Sequence, residues 1–150
     1  MRGKMILNQD FKEFFQLLNA NDVQYLIIGG FAVAFHGHPR YTKDIDVWIW
    51  IDPENANRVV KTLDDFGFES LGLKENDFLE TETIIQLGYA PNRIDLIMGV
   101  PGVEFRECYE RRDETEIDGV KLPFIDLENL KKAKKASGRL QDLADIENLS

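Results

Sequence analysis

Several things are scarce in this chain. Of its 150 residues one is a cysteine, Cys108, two are histidines and five are prolines. A lone cysteine closes no internal disulfide, which fits a reducing compartment. Its surroundings, VEFRECYERR, have no metal-ligand spacing, so it reads as a small half-buried hydrophobe. No apolar run approaches the roughly 20 residues that cross a bilayer. The start, MRGKMILNQDFKEFF, has basic residues but no signal-peptide core or cleavage site, so a cytoplasmic protein without membrane contact is expected. Positive charge is also short. Against 27 Asp and Glu stand 18 Lys and Arg, a formal net charge of −9. Broad nucleic-acid surfaces use Lys and Arg to displace phosphate counterions, so a polynucleotide partner would need a local basic patch.

What is present describes an ordinary globular protein: 43% of residues are hydrophobic and 30% charged. A chain of this length buries about two thirds of its unfolded surface around one core, so residues 1–150 are expected to form a single domain. Phe11, Phe14, Phe15 and Leu18 recur at helical spacing, with Asp10 and Glu13 resembling a capping box. VQYLIIGG reads as a buried strand ending in glycines and FAVAFHG as a helix closed by Gly37. KDIDVWIWI alternates as a strand, and Asp52-Pro53 opens a helix carrying Val59, Val60, Leu63 and Phe66.

From Glu69 to Glu80 the pattern fades into a loop. TETIIQLGY and RIDLIMG are expected to pair as a hairpin at Pro91-Asn92, and a short helix to span Val103 to Arg112. A second hairpin turns at Asp118-Gly119. Residues 126–149 read as two helices broken near Ser137-Gly138, packed on the rest. Strands joined both by helices and by hairpins imply an α/β (α+β) fold with a mixed sheet flanked by helices.

Residues two apart in a strand face the same side, their Cα atoms roughly 6.5–7 Å apart, so Asp44 and Asp46 converge while Ile45, Val47 and Ile49 face the core. In NRIDLIMG, Asp95 stands on a face shared with Arg93 and Ile97. If the strands are close, Asp95 joins the pair. Two unit charges ~4 Å apart repel by about 4 kcal/mol at an effective dielectric of 20, so such a cluster calls for a cation. Hard oxygen ligands without His or Cys suit Mg²⁺ or Mn²⁺, and the indicated chemistry is phosphoryl or nucleotidyl transfer. An isolated Asp-x-Asp is more often the wet face of a strand. Gly29-Gly30 changes the balance, because bare backbone at a strand-to-helix bend lets an anion approach amides.

Taken together, IIGGFAVAFHGHPRYTKDIDVWI, RIDLIMG and LKKAKKASGRLQDLADIENL resemble the nucleotidyltransferase superfamily of the DNA polymerase β fold, in particular small bacterial members of the AbiEii toxin type. The likeness runs from Phe11 to Leu149. It implies transfer of an NMP from an NTP to a hydroxyl with release of pyrophosphate, an Mg²⁺ or Mn²⁺ cofactor and a role as the toxin of a toxin–antitoxin pair with a cognate antitoxin. Its alternative is a catalytically degenerate module that binds nucleotide or a partner.

Residue by residue, the resemblance implies that Gly29 and Gly30 meet the phosphates. Asp44, Asp46 and Asp95 hold metal and do catalysis, Asp95 also helping to deprotonate the attacking hydroxyl. Lys134 and Arg139 neutralise the triphosphate. Asp142 either takes part in catalysis or orients Arg139, and Asp145 stands beside them with its role left open. From the residues alone, Arg40 and Thr42 are near enough to reach a phosphate or serve as turn formers, and Lys131, Lys132 and Lys135 read as a solvated face. His36 and His38 match no metal motif. Trp48 and Trp50 share the acidic face, where they either stack on a base or, the expected arrangement, are covered by the C-terminal helices. The acceptor, whether tRNA, a protein side chain or a small hydroxylated molecule, is left open. An Asp-x-Asp glycosyltransferase is disfavoured because the chain leaves little room for both of its sites.

Overall fold

The computed structural model describes residues 9–37, 44–89, 93–138 and 147. The expected second C-terminal helix lies outside them, as do His38, Arg40, Thr42, the turn at Pro91-Asn92, Arg139, Asp142 and Asp145.

The first helix, α1 (Gln9–Ala20), buries Phe11, Phe14, Phe15 and Leu18, the stripe its spacing predicts. Asp10 falls inside the first turn instead of capping it, and the Gln9 side chain donates to Glu13 at 3.0 Å. The strand β1 (Tyr25–Ile28) is buried along its whole length and runs directly into the short helix α2 (Gly29–Phe35). The two glycines are thus the first residues of that helix, not a bend ahead of it. Next come β2 (Asp44–Ile49) and α3 (Pro53–Asp65), where the Asp52 carboxylate accepts from the Asn55 amide at 3.0 Å. Val59 and Leu63 of α3 are fully buried, whereas Val60 and Phe66 pack partly exposed against the core.

The segment expected as a loop carries two 3₁₀ turns, Glu69–Leu71 and Glu75–Phe78, and delivers Phe78 into the core. One buried aromatic has no periodicity to announce it. β3 (Ile84–Leu87) and β4 (Arg93–Ile97) pair antiparallel as foreseen. α4 (Phe105–Glu110) is shorter than its predicted span. β5 (Asp113–Ile117) and β6 (Val120–Phe124) form the second hairpin, with Asp118 at φ 53° and Gly119 at φ 81°, the positive pair of a type I′ turn. α5 (Leu127–Ser137) is capped by the Asp126 carboxylate and ends at Gly138, φ 68°.

The sheet has six strands in the order β3-β4-β2-β1-β6-β5. β2 runs parallel to β4 and β1 parallel to β6, while the other neighbours are antiparallel. The mixed sheet is as predicted. Its central strands are pinned from α3 by Asn55, which is buried. That side chain accepts from the Gln24 amide at 2.8 Å and donates to the Gln24 and Trp50 carbonyls at 3.1 and 2.9 Å. It ties the entry of β1 to the exit of β2. Replacing Asn55 by Ala removes the partner of the Gln24 amide and of the Trp50 carbonyl, at about 1–3 kcal/mol for each that finds no new one, while the Gln24 carbonyl keeps the Trp50 amide at 3.3 Å. A loss of roughly 2–4 kcal/mol is expected in urea denaturation of Asn55→Ala; a loss below about 0.5 kcal/mol would show the pin to be dispensable.

Candidate active site

Register builds the site. Asp46 of β2 sits opposite Asp95 of β4, and Asp44 opposite Arg93. The parallel pairing therefore sets three carboxylates on one face, with one oxygen of each within 4.8 Å of the others. Asp95 is the deepest, 6% exposed. Beside them Gly29 has φ +71°, and a Cβ placed there would collide with the Asp46 carboxylate. That glycine is required twice over, for its backbone conformation and for the room it leaves. Gly30 follows in the first turn of α2, whose N-cap, Ile28, offers no side-chain acceptor.

Burial first, then the charges of Asp44 and Asp95, push the Asp46 carboxyl up to about 6, against smaller opposing pulls from Arg93 and Lys134. The ionised cluster is thus strained, as the sequence argument required. Arg93 relieves part of it: its Nε donates to one Asp95 oxygen at 3.0 Å and its Nη2 to the other at 2.8 Å, with Asp44 3.9 Å away. The Asp95 hydrogen bond and charge raise the guanidinium above its ordinary range. Sequence reasoning gave Arg93 no role. Its signal was there, because alternation sets it on the same face as Asp95, two residues earlier.

The carboxylates open into a cleft of about 510 Å³ bounded by β2, β4, the loop through Val100 and Pro101, and α5. From α5 it receives Leu130, Ala133, Lys134 and Ser137, one helical stripe. Lys134 is 7% exposed, whereas Lys132 and Lys135 face solvent and Lys131 is half-buried. A lysine on the buried stripe of its helix was the readable signal for this residue. His36 is not in the cleft: its Nε2 donates to the Ile125 carbonyl at 2.7 Å and lies 3.9 Å from Asp113, tying α2 to the β5–β6 hairpin. Cys108 is buried, and burial pushes its thiol up to about 11, so it is inert packing as expected. Trp48 and Trp50 have a neighbour the sequence did not announce. Phe105 of α4 covers them, edge-on to Trp48 at 5.2 Å and parallel to Trp50 at 6.4 Å.

With this geometry in hand, residues 6–150 match the family described as "Nucleotidyltransferase of unknown function (DUF6036)". The chain belongs to this family. No curated protein matches the sequence. Among solved structures, the chain is similar to one described as "a putative nucleotidyltransferase (TM1012) from Thermotoga maritima", with 15% identity, 96% and 94% of the two chains covered and a TM-score of 0.63. It is similar also to the lincomycin-bound lincosamide antibiotic adenylyltransferase LnuA, with 17% identity, 96% of each chain covered and a TM-score of 0.57. A third likeness is to an antigenic nucleotidyltransferase-like protein of Paracoccidioides brasiliensis, with 21% identity, 93% and 74% covered and a TM-score of 0.54. These likenesses establish a shared fold.

The donor set fits a divalent cation. Three carboxylates with mutually close oxygens, one of them held off its ordinary ionisation, match the hard ligands that Mg²⁺ and Mn²⁺ take. In the metal-free protein the raised Asp46 carboxyl binds a proton more tightly folded than unfolded. Stability therefore falls as pH rises from about 4 to about 6, by on the order of 2–3 kcal/mol. Asp46→Asn removes that loss. The variant is expected to be more stable than the parent at pH 8 in chelator, with the gap closing toward pH 4; thermal melts showing equal or lower stability at pH 8 would contradict the strain. Gly29→Ala, by contrast, is expected to cost about 3 kcal/mol or more at any pH, as positive-φ strain and collision combine.

Proposed function

We propose that this nucleotidyltransferase moves a nucleoside monophosphate from an NTP to a hydroxyl and releases pyrophosphate, with a divalent cation held by Asp44, Asp46 and Asp95. The observation carrying the reading is the convergence of those three carboxylates in a cleft that also receives Lys134. When bound, Mg²⁺ or Mn²⁺ supplies Lewis acidity at the phosphoryl oxygens. The chain's own residues do the remainder. Gly29 and Gly30 offer backbone to the phosphates, and Lys134 sets a buried positive charge where the pyrophosphate departs. Asp95 takes the proton of the attacking hydroxyl as its oxygen bonds to the α-phosphorus and the bond to the bridging oxygen breaks. Arg93 holds the Asp95 carboxylate by both oxygens, fixing its plane and leaving each a further lone pair. Arg40, Thr42 and Arg139, outside the described residues, complete the phosphate contacts in this reading.

The role as toxin of a toxin–antitoxin pair rests on the resemblance to the AbiEii type, and growth arrest on expression, relieved by a neighbouring gene product, tests it. A degenerate module draws support from the Arg93–Asp95 pairing, which lends the cluster positive charge without metal. Labelled NTPs, Mg²⁺ and cell extract separate the two, since only the enzyme yields labelled product. With Asp44→Asn and Asp46→Asn combined, transfer is expected to drop at least ~10³-fold, as when a group acting on the transition state is lost. The double variant should stay folded, with chelator abolishing parental activity and Mg²⁺ restoring it. A double variant that retains activity, or that unfolds, contradicts the assignment.

A further inference from the structure

The carboxylate face of the sheet runs on, row by row, to its edge. Asp95 of β4 lies between Asp46 of β2 and Gln86 of β3, and one strand repeat further on Ile97 lies between Trp48 and Ile84. Phe105 covers Trp48, so the apolar surface left open in this second row is Ile97, half-buried, and Ile84, 64% exposed. Val100 and Pro101 continue that surface as an end wall. The wall is fixed at both ends. The Met98 amide donates to the Thr83 carbonyl at 3.2 Å, and Gly102, at φ +83°, packs so closely on α5 that a Cβ would meet Ala136 at 2.6 Å. All four apolar residues line the same cleft as the three carboxylates. The cleft thus has an apolar corner, placed across from the glycines: Gly29 follows β1 on one side of β2, and Ile84 lies two strands away on the other.

We infer that this corner seats the acceptor, and that the acceptor is a small molecule carrying its hydroxyl on an uncharged apolar body. The inference rests on the transferase reading above and names the second substrate of that site. In-line displacement at phosphorus fixes the sides. The acceptor oxygen bonds to the α-phosphorus opposite the bridging oxygen whose bond breaks, its proton passes to Asp95, and pyrophosphate leaves. With the pyrophosphate on the Gly29 side, the hydroxyl arrives from beyond Asp95, where Ile97 and Ile84 lie. A body resting on Ile97 reaches Asp95 across one strand repeat, roughly 7 Å. The corner's chemistry then selects its occupant. The cations among the described lining residues of the cleft are Arg93 and Lys134. Arg93 stands one repeat before Asp95, at the end of β4 away from Ile97, and both Asp95 oxygens hold it, while Lys134 answers the pyrophosphate in that reading. Lys132 and Lys135 face solvent. A phosphate-rich acceptor such as tRNA therefore meets no cation at the corner, on a chain whose net charge is −9. Apolar atoms laid on Ile84 and Ile97 are instead withdrawn from water together with them.

Carbon-13 labelled isoleucine methyl groups report on the corner directly by NMR. The full chain, with Mg²⁺ and α,β-methylene-ATP, is titrated with cyclohexylmethanol, an apolar alcohol, and with glycerol, a polar one, up to about 20 mM, the range of fragment-sized ligands. Cyclohexylmethanol is expected to shift the Ile84 and Ile97 methyls saturably and to leave that of Ile117, buried at the end of β5, in place. Glycerol should move none of them. Ile84→Thr, an exposed and still β-branched substitution, should keep the fold and weaken cyclohexylmethanol roughly threefold or more, read from Ile97. If the parent fails to bind the nucleotide analogue with Mg²⁺, the transferase reading itself fails. If the analogue binds but the alcohol moves neither methyl, glycerol moves them equally, or Ile84→Thr leaves the alcohol's affinity unchanged, the acceptor inference alone is overturned. An analogue whose own base fills the corner and blocks the alcohol overturns it too. Transfer of label from ATP to tRNA or protein, as fast in Ile84→Thr as in the parent, would do so equally.

Discussion

Repulsion among three carboxylates is the constraint on which the rest of the structure depends. Asp44, Asp46 and Asp95 are brought within reach of one another by a parallel register that no single strand could impose, on a sheet face partly closed to water. The fold tolerates this because its other face supplies the compensating burial. Ile45, Val47 and Ile49, with Ile94 and Leu96, are almost wholly withdrawn from solvent. Each alternate residue helps the core while its neighbour strains the site. Such a division stores an affinity for positive charge in a rigid element, where it is not lost to side-chain freedom.

The surroundings answer that charge from two directions. Arg93 does so from within the sheet, two residues before Asp95, and Lys134 from the helix α5 that closes the cleft. They differ in kind. Arg93 grips one carboxylate by a bidentate fork and orients it, whereas Lys134 contributes a point charge to the cleft without a fixed plane. The loop from Gly99 to Glu104 then divides the charged cleft from a second cavity lined by Trp48, Trp50 and Phe105. Charge on one side and π-surface on the other make two chemically distinct compartments along a single strand pair.

Most of this is legible in the sequence. Alternation in KDIDVWIWI and RIDLIMG gave the carboxylate face, the Asp118-Gly119 pair gave the second hairpin, and Asp52-Pro53 gave the start of α3. What escaped depended on long-range packing. Phe78 reaches the core from a 3₁₀ turn with no periodic neighbours, and Asn55 is buried as a polar pin between two strand ends that only tertiary structure brings together. Phe105 packs on Trp48 and Trp50 because α4 returns over the end of β2, which the sequence does not say. Asp10 shows the opposite error, a local capping pattern overruled by a helix that already includes Gln9, two residues before the capping pattern would start it.

Crystals grown with Mn²⁺ and a non-hydrolysable NTP analogue, measured at the manganese absorption edge, test the central claim most directly. The account predicts an anomalous peak bounded by oxygens of Asp44, Asp46 and Asp95 at metal-ligand distances of about 2.0–2.2 Å, with the triphosphate reaching toward Lys134. Manganese bound elsewhere, or an analogue-bound site in which the three carboxylates hold no ion and Arg93 alone answers their charge, would contradict it.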